Sequence, residues 1–127
     1  MCVGYLALSF DMFNVGDLDV IAQARNHCAE LVVGVLDDEL TEAVYGRPPV
    51  VPITERMMLL RHVRGISDVL VHSGWDRPEV EDWVIFAVSD ATPEPPPESI
   101  LLTPSRGTTS PALREVLQPI PPRAAVA

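Results

Sequence analysis

Gly4-Tyr5-Leu6-Ala7-Leu8-Ser9-Phe10-Asp11-Met12-Phe13-Asn14-Val15-Gly16-Asp17-Leu18 reads as a strand, a tight turn and the start of a helix. Tyr5 to Phe10 is almost wholly apolar, with one small polar residue, which suits a strand covered on both faces. Asp11, Asn14, Gly16 and Asp17 interrupt the run with turn chemistry. From Val15 the apolar residues Val15, Leu18, Ile21 and Ala22 fall at helical spacing and predict the helix's buried face. Free N–H groups at such a helix start favour an anion, phosphate above all.

Outward from this stretch, the first strand is expected over about Val3–Phe10 and the first helix over about Gly16–Cys28. Glu30–Leu36 is a β-branched apolar run and predicts a second strand. Strand, helix and strand in this order make a βαβ unit, hence a parallel pair. Asp37–Glu42 predicts a short acidic helix or turn, and the prolines from Tyr45 to Ile53 a loop. Thr54 is the expected cap of a helix reaching about Arg64, with Met57, Leu60 and Val63 or Arg64 on one face. Ile66–Val71, Trp83–Val88 and Ser99–Leu102 complete the strands. A brief helix is expected from Asp76, and a closing helix from Ser110-Pro111 to about Leu117. The proline run in Ala91–Glu98 implies an extended connection. The pattern predicts a three-layer α/β, Rossmann-like (HUP-type) domain over residues 1–118, built on a parallel sheet of about five strands. Residues 119–127 form a Pro/Ala-rich tail expected to be disordered. Ligands of such sheets bind beyond the carboxyl ends of the strands.

The chain has 127 residues and a net charge of −9. Arginine carries all of its basic charge, and there is no lysine. This balance argues against nucleic acid or an anionic membrane as partner. No apolar run approaches the ~20 residues of a membrane span, and no signal peptide is recognisable at the N-terminus, so a cytoplasmic location is expected. Cys2 and Cys28 match no metal or redox spacing and are expected to pack as reduced thiols. His27, His62 and His72 are scattered, so no protein metal site is expected.

Several segments resemble the cytidylyltransferase-like nucleotidyltransferases, of the glycerol-3-phosphate cytidylyltransferase type. Their turn reads roughly G-x-F-D-x-F/L-H-x-G-H, and Phe10, Asp11, Phe13 and Gly16 stand where it asks. Asn14 and Asp17 occupy its two histidine positions. Gly46-Arg47-Pro48-Pro49-Val50-Val51-Pro52, then Glu55-Arg56, is similar to the family's K-G-R-P-P-V-I-P-x-x-E-R, with Tyr45 near the lysine position. Thr108-Thr109-Ser110 resembles its phosphate-holding helix start. The resemblance implies transfer of a nucleotidyl group from CTP (or ATP) to a small phosphorylated alcohol, with magnesium, pyrophosphate release and a homodimeric assembly. It implies catalytic roles for Asn14, Asp17 and Arg56. It also implies nucleotide contacts from Ser9, Phe10, Asp11, Gly16, Arg64, Arg106, Thr108, Thr109 and Ser110. The missing histidines and lysine support a second reading, a catalytically inactive relative that binds a nucleotide or a protein. Structural duties compete at each position: Asp11 as a turn or helix cap, the arginines as surface ion pairs, Thr108–Ser110 as a cap, and Trp75 and Trp83 as core or rim.

Overall fold

The computed structural model describes residues 2–76 and 82–104. Five strands and three helices follow one another as β1 (Val3–Leu8), α1 (Val15–Arg25), β2 (Glu30–Leu36), α2 (Asp38–Tyr45), α3 (Ile53–Arg61), β3 (Asp68–His72), β4 (Val84–Val88) and β5 (Ile100–Leu102). The strands form one sheet in the order β3-β2-β1-β4-β5. Every pairing is parallel, as the run of strand and helix signals implied. The chain lays β2 and β3 on one side of β1, then crosses to lay β4 and β5 on the other. The order therefore switches between β1 and β4.

β1 and β2 are apolar almost throughout because the sheet is covered on both faces. On one face Leu6, Leu8, Leu31, Val33, Val35 and Phe86 meet α1 through Val20, Ile21 and Ala24, and α3 through Leu60. On the other, Tyr5, Ala7, Val32, Leu36 and Ile85 meet Leu40 and Val44 of α2, with Trp75 and Trp83. The Tyr5 hydroxyl lies 2.7 Å from His72 Nδ1, and both residues are fully buried. Gly34 makes room for this contact, since a Cβ there would run into the Tyr5 hydroxyl and stand 3.1 Å from His72 Cβ.

Four local expectations are corrected. Val15 and Leu18 are 51% and 44% exposed; α1 instead buries Gly16, Val20, Ile21 and Ala24. Gly16, Val20 and Ala24 recur every fourth residue and, with Ile21, make the buried face. Thr54 is not the cap of α3: the helix begins at Ile53, Pro52 precedes it, and the Pro52 carbonyl accepts from the N–H groups of Glu55 and Arg56. The same helix stops at Arg61 rather than near Arg64, with His62 closing onto the Leu59 and Leu60 carbonyls. Ala91–Glu98 is not an extended connection. The N–H groups of Ala91 and Thr92 both donate to the Val88 carbonyl, and Asp90 and Glu94 adopt left-handed φ values of 64° and 42°. The helices expected after Asp76 and Ser110, and the tail, lie wholly or mainly outside the described residues.

Candidate functional site

β1 ends under a turn whose backbone is unusual. Phe10 and Met12 have φ of 53° and 54°, a region that side-chain-bearing residues seldom adopt. The first left-handed step lets Phe10 drop its ring into the core, 3% exposed and 6.3 Å from the ring of Phe13. The ring of Phe10, a residue expected at a ligand, packs in the core beneath the mouth. Ser9 is buried as well. Its hydroxyl accepts from the Asp11 N–H at 3.3 Å and reaches the Tyr45 hydroxyl at 3.4 Å.

Asp11 is 5% exposed, and its two carboxylate oxygens accept from the N–H groups of Val50 and Val51 at 2.9 and 2.8 Å. The carboxylate pins the proline loop 46–52 over the end of β1. Charge-assisted bonds of this kind are roughly twice as strong as neutral ones.

Arg56 stands below this latch, on the first turns of α3, and is 1% exposed. Its Nε donates to the Val51 carbonyl at 2.9 Å, and one terminal nitrogen donates to the carbonyls of Ser9 and Leu36, both at 2.8 Å. The other terminal nitrogen pairs with Asp38 at 3.0 Å. One guanidinium therefore joins the ends of β1 and β2, the proline loop and the start of α2. The rigid fork of arginine suits such a junction. Burial pushes the guanidinium below its ordinary value, while the nearby carboxylates of Asp11, Asp38 and Asp37 oppose the shift. Arg56 is neither a surface ion pair nor a group aimed outward at a phosphate. Its donors are turned onto three backbone carbonyls and the Asp38 carboxylate.

The start of α1 closes on itself. Asn14 Oδ1 accepts from the N–H groups of Gly16 at 2.8 Å and Asp17 at 3.4 Å. Asp17 Oδ2 in turn accepts from the Asn14 N–H at 3.2 Å, completing a reciprocal capping box. The Asn14 amide nitrogen donates to the Met12 carbonyl at 3.1 Å. The helix amides expected to face phosphate thus have acceptors within the chain, and an acidic side chain lies in the first turn. Gly16 is buried.

The switch between β1 and β4 is bridged too. Thr92 Oγ1 donates to the Ala7 carbonyl at 3.1 Å and accepts from the Val88 N–H at 3.0 Å. The Trp75 indole N–H donates to the Pro93 carbonyl at 2.8 Å, tying the turn to the far face of the sheet. Sequence reasoning missed Thr92 because the proline run masked the turn before it; a threonine just past a strand end was the available signal.

Ser9, Phe10, Asp11, Asn14, Gly16, Asp17 and Arg56 are gathered at the carboxyl ends of β1 and β2. Arg64 is not. It follows α3 at the amino-terminal edge of the sheet, in a groove with Arg25 and Asn26 from the end of α1. A residue after a crossover helix returns to the strand starts, so Arg64 faces away from the mouth. Arg106, Thr108, Thr109 and Ser110 lie outside the described residues. Among the described residues, no group of three or more His, Cys, Asp or Glu is placed to hold a metal. No helix among them is long and apolar enough to cross a membrane.

The cytidylyltransferase-like family model matches residues 7–97, a span that runs from β1 through the turn after β4. This chain belongs to the cytidylyltransferase-like family. Ethanolamine-phosphate cytidylyltransferase of Arabidopsis thaliana is 39% identical over 66 residues, 52% of this chain and 15% of that protein. FAD synthase of Pyrococcus abyssi is 36% identical over 62 residues, 49% of this chain and 42% of that protein. The matches span less than half the length of these relatives, and they fit the broad family rather than the glycerol-3-phosphate type in particular. The crystal structure of the lipopolysaccharide core biosynthesis protein from Thermoplasma volcanium superposes with a TM-score of 0.61 at 20% identity, over 71% of this chain and 76% of that one. That likeness concerns the fold. In this cytidylyltransferase-like domain the mouth is in place, and its polar groups bond largely within the chain.

Proposed function

We propose that this chain is a non-catalytic member of the cytidylyltransferase-like family, a binding or scaffold module rather than a transferase. The observation that carries the proposal is the reciprocal cap of Asn14 and Asp17. Attack of an acceptor phosphate on the α-phosphate, with pyrophosphate leaving, builds negative charge that fixed donors must stabilise, and positioning and electrostatics supply nearly all of the rate. Asn14 is uncharged and Asp17 is an acceptor, while Tyr45 stands near the expected lysine. Losing one donor of this kind costs about 2.7–4 kcal/mol in comparable sites. Losses within one site do not simply add, but three leave little to drive turnover.

A second reading rests on a different observation. The Asp11 latch and the Arg56 junction hold the strand ends in a defined shape. On that reading the chain transfers a nucleotidyl group from CTP or ATP to a small phosphorylated alcohol, within a homodimer. Magnesium does not fit the described residues as a protein-held ion: Asp11 is engaged by two amides and Asp17 by one.

Pyrophosphate release, measured with CTP and ATP in magnesium buffer over a panel of phosphorylated alcohols, separates the readings. The non-catalytic reading expects none from the wild type. Release by the wild type above the buffer rate overturns it. Calorimetric titration with the same triphosphates then shows whether the module binds nucleotide.

A further inference from the structure

The end of the sheet opposite the mouth brings the two cysteines together. Cys2 immediately precedes β1, and its carbonyl accepts from the N–H groups of Ala29 and Glu30 at 3.0 and 3.2 Å. Its thiol donates to the carbonyl of His27, the residue before Cys28, at 3.4 Å. Cys28 turns its own thiol onto the Ala24 carbonyl, also at 3.4 Å. That sulfur lies over Gly4: a Cβ built on Gly4 would sit 2.7 Å from it. Residues two apart along a strand present their side chains to the same face. Cys2 and Gly4 are two apart, so the Cys28 sulfur occupies the face of β1 to which Cys2 also belongs.

The register sets the scale. Val3 is level with Glu30 across the β1–β2 pair, which places Cys2 level with Ala29, next to Cys28. Paired strands run about 4.8 Å apart, and disulfides join Cα atoms about 4.4–6.8 Å apart. Both thiols are free and half-buried, so a small reagent can reach them. Burial first, and then the charge of Cys2, push the Cys28 thiol above its ordinary value, while the Gly4 amide and Arg25 oppose this. The influence of Cys2 agrees with the closeness that the backbone contacts imply.

We propose that Cys2 and Cys28 are a dithiol pair that closes to an intramolecular disulfide by exchange with a small-molecule disulfide. The Cys2 thiolate attacks one sulfur of the reagent, forming a mixed disulfide and releasing one reagent thiol. The Cys28 thiolate then attacks the Cys2 sulfur, forming the Cys2–Cys28 bond and releasing the second. Two protein thiols are oxidised and one reagent disulfide is reduced; the two protons lost by the protein thiols pass through solvent to the two released reagent thiolates, giving two thiols. The bond encloses β1, the strained turn and all of α1 in one ring. Closing such a loop stabilises the fold chiefly by restricting the unfolded chain.

The test exposes the full folded chain to oxidised glutathione and reads intact mass, free thiols and melting temperature. The expected product is a monomer lighter by two hydrogens, with no titratable thiol and a Tm raised by several degrees; dithiothreitol reverses all three. Cys2→Ser and Cys28→Ser each stop at one glutathione adduct and show no rise in Tm. A wild-type product that carries two glutathiones, a disulfide between two chains, or two thiols that persist in the folded protein while the urea-unfolded chain reacts, each overturns the pairing.

Discussion

Two segments lie over the same strand ends, and they fared differently. In the latch, Asp11, the loop 46–52 and Arg56 keep the residue types of the family pattern, and each has a structural duty visible in its hydrogen bonds. In the turn leading into α1, Asn14 and Asp17 depart from that pattern, and the new residues cap a helix. Tyr45 departs as well, and its hydroxyl accepts from the Ser9 hydroxyl at 3.4 Å. A residue with both a chemical and a structural duty stays when the chemistry goes. A residue whose duty was chemical can be replaced by whatever suits the local backbone. The contrast between latch and turn is therefore the pattern that the proposed non-catalytic reading expects.

The comparison can be broken most directly at Arg56. Arg56→Leu removes the partner of three backbone carbonyls and leaves them buried, so the expected loss is about 3–5 kcal/mol, as for breaking a buried charged network. Urea denaturation measures it; a loss under about 1 kcal/mol, the size of an exposed pair, would show that the latch is not structural. Next comes Asp11→Ala, which orphans two amides at an expected cost of about 3 kcal/mol. Amide exchange should quicken at Val50 and Val51 before it does in β1. Asn14→Ala should cost only about 1 kcal/mol, the usual worth of a helix cap. If its cost rivals that of Asp11, the distinction between the two segments fails.

The smallest effect should come from the far end of the sheet. The Cys28 thiol sits above its ordinary value of 9.0 because it is buried. Its neutral form is thus favoured by folding: the stability is fully present below about pH 9.0 and is lost as pH rises through the higher folded value. Urea midpoints measured on the alkaline side should fall less steeply for Cys28→Ser than for the wild type.

Much of the fold was legible because parallel sheets impose a simple rule. Glu30–Leu36 was readable as a strand, being β-branched and apolar, and its bounds are those observed. The order of strand and helix signals then implied the parallel sheet. What escaped was whatever depended on partners remote in sequence. The apolar spacing of α1 selected Val15, Leu18, Ile21 and Ala22, but of these only Ile21 is buried, and Gly16, Val20 and Ala24 complete the covered face. The prolines of 91–98 suggested an extended chain, yet Thr92 found acceptor and donor on β1 and β4 and folded the segment back. Arg56 and Arg64 look alike in sequence; only the direction of α3 separates them, placing one under the strand ends and the other at the strand starts. Asn14 and Asp17 were read for what the family pattern lacks there. Their spacing of three also fits a capping box, the local signal that describes them best.

The aromatic cluster beside Tyr5 has a practical consequence for anyone watching this protein unfold by light. The chain has two tryptophans, and both rings lie against Tyr5, with centroids 5.9 Å away for Trp75 and 5.6 Å for Trp83. The core on the α1 and α3 side contains phenylalanine but, among the described residues, neither tryptophan nor tyrosine. Intrinsic emission therefore reports on one side of the sheet alone. If α1 and α3 peeled away first, the fluorescence would scarcely change while the circular dichroism fell, and an apparently simple optical transition would record only the later half of the event.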